Sequence, residues 1–138
     1  MRLEQMLKTL KESDSRITPQ RYAVLNVLAH SADHPSAESI HAELTELYPT
    51  MSLATVYKTI NLLKREGEIL ELEFSELGNR YDGKKPYPHP HVICTECGKI
   101  LDPSQLDLDE ITNKMKEETG FKILNHRLDF YGLCPDCQ

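Results

Sequence analysis

No apolar run in the 138 residues approaches the roughly 20 needed to cross a membrane, which excludes a spanning helix. Positive charge is not in excess either. Sixteen Lys and Arg stand against 22 Asp and Glu, for a net charge of −6. That excludes a basic coat for nucleic acid, though not a local basic face. The opening residues, MRLEQMLKTLKESD, alternate charged and apolar side chains, so they are not a secretory signal, and a cytoplasmic protein is expected. There is no low-complexity stretch, no nucleophile motif and no phosphate-binding loop. What is present, 39% apolar and 28% charged residues, suits one domain or two small ones.

Cysteine is scarce but ordered. The 4 cysteines form two Cys-x-x-Cys pairs, Cys94 with Cys97 and Cys134 with Cys137. Two intervening residues let both sulfurs of a pair turn onto one ion, and zinc takes four thiolates in a tetrahedron. In a chain without an export signal the pairs point to structural zinc, one ion per chain, over disulfides. Free or redox-active thiols are the alternative. No position of such a site is left open for chemistry.

The pattern changes near Gly83. Residues 1–83 read as helices followed by a hairpin, and residues 84–138 as strands around one helix. The join, Gly83-Lys84-Lys85-Pro86-Tyr87-Pro88, is rich in turn formers. In the first part Leu3, Met6, Leu7 and Leu10 form a helical stripe. Thr18-Pro19 opens a second helix with Tyr22, Val24, Leu25 and Leu28 inward. Ser36 caps a third, with Ile40, Leu44 and Leu47 inward, and Ser52 a fourth, with Leu53, Val56, Ile60 and Leu63 inward and Gly67 at its end. Extended stretches at Ile69 to Phe74 and Arg80 to Tyr81, joined through Leu77-Gly78-Asn79, predict a hairpin.

Helices followed by a small hairpin are the pattern of a winged helix-turn-helix. The outer face of the fourth helix carries Ala54, Tyr57, Lys58, Asn61, Lys64 and Arg65. Small and hydrogen-bonding residues followed by cations suit a helix set end-on into a major groove, with Arg16 and Arg21 adding charge. A solvated polar face is the bland alternative.

In the second part, His91 to Cys94 and Lys99 to Leu101 read as strands around the first cysteine pair. Asp107 with Glu110 reads as a capping box for a helix with Leu108, Ile111 and Met115 inward, ended by Gly120. Phe121 to Leu124 and Arg127 to Tyr131 are β-prone. So small an α+β unit calls for a partner surface, and a homodimer is expected. His89-Pro90-His91 adds a second candidate metal site, because residues i and i+2 of an extended segment share a face. Asp82 and Asp102 flank that region in sequence, whereas His34, in a loop between two helices, has no local signal beyond an exposed position.

Several of these segments together resemble the ferric uptake regulator family: Arg16-Ile17-Thr18-Pro19-Gln20-Arg21, His34-Pro35-Ser36-Ala37, Ser52-Leu53-Ala54-Thr55-Val56-Tyr57, His89 through Lys99, and His126 through Cys134. The resemblance covers nearly the whole chain. It implies an α+β protein: a winged-helix DNA-binding domain over 1–83, then a zinc-stapled α+β dimerisation domain over 84–138. It also implies a homodimer that binds a palindromic operator in double-stranded DNA, through a set comprising Arg16, Arg21, Ala54, Thr55, Tyr57, Lys58, Asn61 and Lys64. Within the family the chain is most similar to the peroxide-sensing branch. That likeness implies a regulatory Fe2+ or Mn2+ held by His34, Asp82, His89, His91 and Asp102, with Cys94, Cys97, Cys134 and Cys137 on the structural Zn2+. Aspartate at 82 and 102 favours peroxide sensing over iron or zinc uptake. Pro88 and Pro90 stand where some members carry ligands of a further site, so that site is not expected, although His126 and Asp109 remain.

Three imidazoles with two carboxylates suit Fe2+ or Mn2+ better than a thiolate set would. The reading is a metal-dependent repressor that senses hydrogen peroxide by iron-catalysed histidine oxidation, and the resemblance points to His34 and His89 as the oxidised ligands. The rivals are an iron-, manganese- or zinc-uptake regulator of the same family, a mononuclear metalloenzyme, and a zinc-stapled interaction module.

Overall fold

The computed structural model describes every residue except 75–77 and 104–106. The chain divides into two compact units, Met1–Tyr87 and Pro88–Gln138. The division falls inside the turn-rich join, after Tyr87. Gly83 itself belongs to the first unit: Arg2 Nε donates to its carbonyl at 2.7 Å, and a Cβ there would lie 2.5 Å from the Leu28 carbonyl oxygen.

The first unit runs α1 (Arg2–Glu12), α2 (Pro19–His30), α3 (Ala37–Leu44), α4 (Leu53–Arg65), β1 (Leu70–Phe74) and β2 (Gly78–Asp82). Thr18 accepts from the Arg21 amide at the start of α2, with Pro19 in the first turn. Ser36 caps α3 reciprocally with Ser39, and Ser52 caps α4 by accepting from the Thr55 amide. Gly67 follows α4 with φ 72°. Met6, Leu10, Val24, Leu25, Leu28, Ile40, Val56, Ile60 and Leu63 form its core. Two inward assignments fail. Leu47 is 76% exposed because α3 ends at Leu44, and Tyr22 points outward because Ala23, Val24 and Leu25 already fill the inner side of α2. The antiparallel hairpin pairs Leu70 with Asp82 and Leu72 with Arg80. Gly78 and Asn79 lie within β2, and Leu77 of the expected turn lies outside the described residues.

The second unit contains β3 (His91–Cys94), β4 (Ile100–Leu101), α5 (Asp109–Thr119) and β5 (Asp129–Gly132). The sheet order is β4-β3-β5, with β3 antiparallel to β4 and parallel to β5. The expected capping box does not form. The Asp107 carboxylate instead accepts from the Asp109 amide at 2.9 Å, and α5 starts at Asp109, whose acid with that of Glu110 faces the positive helix end. Phe121 to Leu124 is not a strand; only Asp129–Gly132 of the β-prone segments finds a pairing partner, in β3. Ile111 and Met115 are exposed, and α5 buries no side chain.

Candidate metal centres and nucleic-acid interface

The cysteine site is assembled from the end of β3 and the turn after β5. Ligand atoms of Cys94, Cys97, Cys134 and Cys137 lie within 4.8 Å of one another. Gly98, at φ 77°, returns its amide to the Cys94 carbonyl at 3.0 Å, and the Cys137 amide does the same to Cys134 at 2.9 Å, so each pair is folded into a tight knuckle. Amide donors from Cys97, then Cys134, pull the Cys94 thiol down to about 6. Sulfur–sulfur contacts, first with Cys134, push Cys137 up to about 12. Four sulfurs this close share protons among themselves, and a divalent ion is what lets all four ionise together. The donor set fits a closed tetrahedral zinc site.

His34 and Asp82 meet within the first unit. Their Nε2 and Oδ2 atoms are 3.2 Å apart, and both residues are buried. Asp82 terminates β2, and its Oδ1 accepts from the amides of Lys84 and Lys85 at 3.0 and 2.9 Å. Those two bonds suit an aspartate, whose short side chain reaches amides two and three residues on. They fix the carboxylate so that Oδ2 faces the imidazole. His34 sits at φ 52°, a left-handed conformation that costs a non-glycine residue about 1–2 kcal/mol. The loop is gripped by β2. Arg80 Nε donates to the His34 carbonyl, Arg80 Nη2 to the Asp33 carbonyl at 2.8 Å, and the Tyr81 amide to the Pro35 carbonyl at 3.0 Å.

His89, His91 and Asp102 meet within the second unit. β3 pairs Val92 with Leu101, so continuing that register sets Asp102 opposite His91. Asp102 Oδ2 is 3.2 Å from His89 Nε2, and Oδ1 is 3.5 Å from His91 Nε2. The two rings lie 4.4 Å apart between centroids, as expected for residues i and i+2 on one face. On the other side of the fully buried His91, Nδ1 stands 3.5 Å from Asp129 Oδ1, whose second oxygen accepts from Arg127 Nε at 2.7 Å. The parallel register pairs His91 with Asp129 directly. A carboxylate facing Nδ1 favours the tautomer that leaves Nε2 for a metal. Imidazole nitrogen and carboxylate oxygen form a borderline-hard donor set, fitting Fe2+ or Mn2+.

The outer face of α4 exposes Ala54, Tyr57, Lys58, Asn61, Lys64 and Arg65. Several groups expected to meet DNA hold internal partners. The Tyr57 hydroxyl donates to Glu38 at 2.7 Å, a bond that raises the tyrosine pKa and lowers that of the carboxyl. Lys64 pairs with Glu71 of the hairpin, and Arg21 donates to the Arg16 carbonyl at 2.6 Å. Thr55 is half-buried in the cap of α4. Arg16 is exposed.

Sequence reasoning missed Arg80 and Asp129. The period of a strand could have found Arg80, since it shares a face of β2 with Asp82. Asp129 depends on a parallel pairing that its local sequence does not announce.

The ferric uptake regulator family profile matches residues 12–131. The chain belongs to the ferric uptake regulator family. It is 42% identical over 135 residues to the peroxide operon regulator of Bacillus subtilis, covering 98% of this chain and 92% of that one. The Helicobacter pylori ferric uptake regulator, described as having three functional metal-binding sites, superposes with a TM-score of 0.84 at 29% identity, covering 98% and 93% of the two chains. The Campylobacter jejuni peroxide stress regulator superposes at 0.74 with 34% identity, covering 99% and 100%. Among the described residues no helix is long and apolar enough to cross a membrane.

Proposed function

We propose that this ferric uptake regulator family member is a cytoplasmic, homodimeric repressor that binds a palindromic operator and senses hydrogen peroxide through a regulatory metal, with zinc serving structure alone. The observation that carries the reading is the pair of histidine–aspartate groups, one in each unit, buried at His34, Asp82 and His91 and half-buried at His89 and Asp102, with aspartate at both 82 and 102. His34 and Asp82 supply one part of a ligand set and His89, His91 and Asp102 the rest. A single Fe2+ or Mn2+ shared by all five would couple the two units, favouring the DNA-binding form by its differential affinity. Exposed apolar side chains on the second unit, including Val92, Leu101, Ile111, Met115 and Phe130, support dimerisation.

Fe2+ held by His34, Asp82, His89, His91 and Asp102 would supply the electrons that activate peroxide, which Mn2+ would do poorly. Imidazole is the more oxidisable ligand type, and His34 and His89 are the expected targets. Peroxide gives one oxygen to a ring carbon and its other oxygen leaves as water. The oxidised ring is a poor ligand, so the set dissolves and DNA is released. Lacking a thiol step, the response is not reversed by thiol reductants. A metal-uptake regulator is the second reading, favoured by the superposition on the Helicobacter pylori protein.

Mass spectrometry after peroxide treatment separates the two. The Fe2+-loaded protein should gain one oxygen on the peptides holding His34 and His89, in step with operator release, and the Mn2+-loaded protein should not. Oxidation confined to the four cysteines, with zinc loss, would overturn the histidine mechanism. No oxidation and persistent operator binding would select the uptake reading.

A further inference from the structure

We propose that Arg80 is a positioning residue that holds His34 in its left-handed backbone, so that the imidazole faces Asp82 before any metal arrives. The inference rests on the metal reading of His34 and Asp82 and adds a residue that no ligand set contains.

Three consecutive carbonyls of the loop, those of Asp33, His34 and Pro35, all accept from β2: the first two from the Arg80 guanidinium, the third from the Tyr81 amide. The next residue of that strand is Asp82, itself clamped by the amides of Lys84 and Lys85. One three-residue stretch therefore sets the backbone of one candidate ligand and contributes the other. His34 has φ 52°, a region uncommon for residues other than glycine, and the loop that adopts it is bonded to β2 on three successive carbonyls. A planar guanidinium offers its donors in a fixed fork that spans two successive carbonyls, whereas a lysine ammonium is a compact point charge without that fixed geometry. These bonds run from the Arg80 guanidinium to the carbonyls of Asp33 and His34, so through them Arg80 acts on the loop that carries the imidazole.

The test is Mn2+ binding by the full-length, zinc-loaded protein, followed by the paramagnetic resonance signal of free Mn2+. Arg80→Ala should weaken Mn2+ roughly tenfold to a hundredfold, the range for losing a residue that orients a ligand. Arg80→Lys should fall between that variant and the wild type. Zinc content should not change in either. A purely structural role would lower the melting temperature and leave the Mn2+ affinity measured well below melting untouched. That result, with Arg80→Ala binding Mn2+ within twofold of wild type while His34→Ala loses it, would overturn the positioning role and leave the metal reading standing. Wild-type affinity in His34→Ala would overturn both. Should Arg80→Ala fail to fold, Arg80→Lys and Arg80→Gln decide by the same comparison with His34→Ala.

Discussion

In the first unit Met6, Leu10, Leu25, Leu28, Ile40, Ile60 and Leu63 are all fully buried, and four helices share them. Among the described residues of the second, Ile93, Cys94 and Ile100 are buried, and α5 buries no side chain. The sheet there carries Val92, Leu101, Phe130 and Tyr131 on exposed positions. The first unit has the core of an independent folding unit. The second, at about 50 residues, has little apolar burial to offset its chain entropy, and a metal on the cysteines supplies what its core lacks. The difference separates two uses of metal. The cysteine site replaces a missing core, whereas the histidine–aspartate groups sit in frameworks that hydrogen bonds and strand register already set.

The largest effect should come from breaking the zinc staple. Cys97→Ser removes one of four thiolates, and structural zinc is worth on the order of 10 kcal/mol of folding free energy at neutral pH. Hydrogen exchange should show protection lost across Pro88–Gln138 and kept across α2 and α4 of Met1–Tyr87. Zinc content should fall with it. Uniform loss of protection through both units would contradict their independence.

A smaller, opposite break sits in the first core. Leu28 is fully buried beneath the Gly83 backbone, and Leu28→Ala should cost about 2–5 kcal/mol. The loss should be read as a lower denaturant midpoint for the helical signal, with zinc content unchanged. If zinc is lost at the same denaturant concentration as the helices, the units unfold as one.

What was legible in the sequence follows the same division. Caps and periodicity determine the helices of the first unit, because Thr18, Ser36 and Ser52 each act within three residues of themselves. Leu47 and Tyr22 were misplaced where helix length and a crowded inner face decided instead. In the second unit the exposed Ile111 and Met115 have correct helical spacing, but what covers them is not encoded in one chain's pattern. Phe121 to Leu124 has β propensity without a strand to pair with, and propensity in strands is mostly a statement about neighbours. The cysteine site was readable because two short spacings carry it. His34 was not readable from its own surroundings, since its place beside Asp82 depends on β2 reaching back to a loop far earlier in the chain. Only the likeness to the family named it.

The finest distinction lies on α4, between cations with and without internal partners. Lys58 is exposed on the helix's outer face, whereas Lys64 is paired with Glu71 of the hairpin. A cation that neutralises one DNA phosphate contributes about 0.9 to the slope of log affinity against log salt. Lys58→Ala should therefore lower that slope by about one and weaken operator and random DNA alike. Lys64→Ala removes an internal ion pair as well as a positive charge, so it should weaken binding without the same clean change in slope. Glu71→Gln separates the two contributions: it should strengthen binding slightly by releasing Lys64. Fluorescence anisotropy across a salt series measures all three. Identical slopes for Lys58→Ala and the wild type would place Lys58 off the phosphate backbone, and a loss of affinity in Glu71→Gln would show that the hairpin pair organises the surface for DNA.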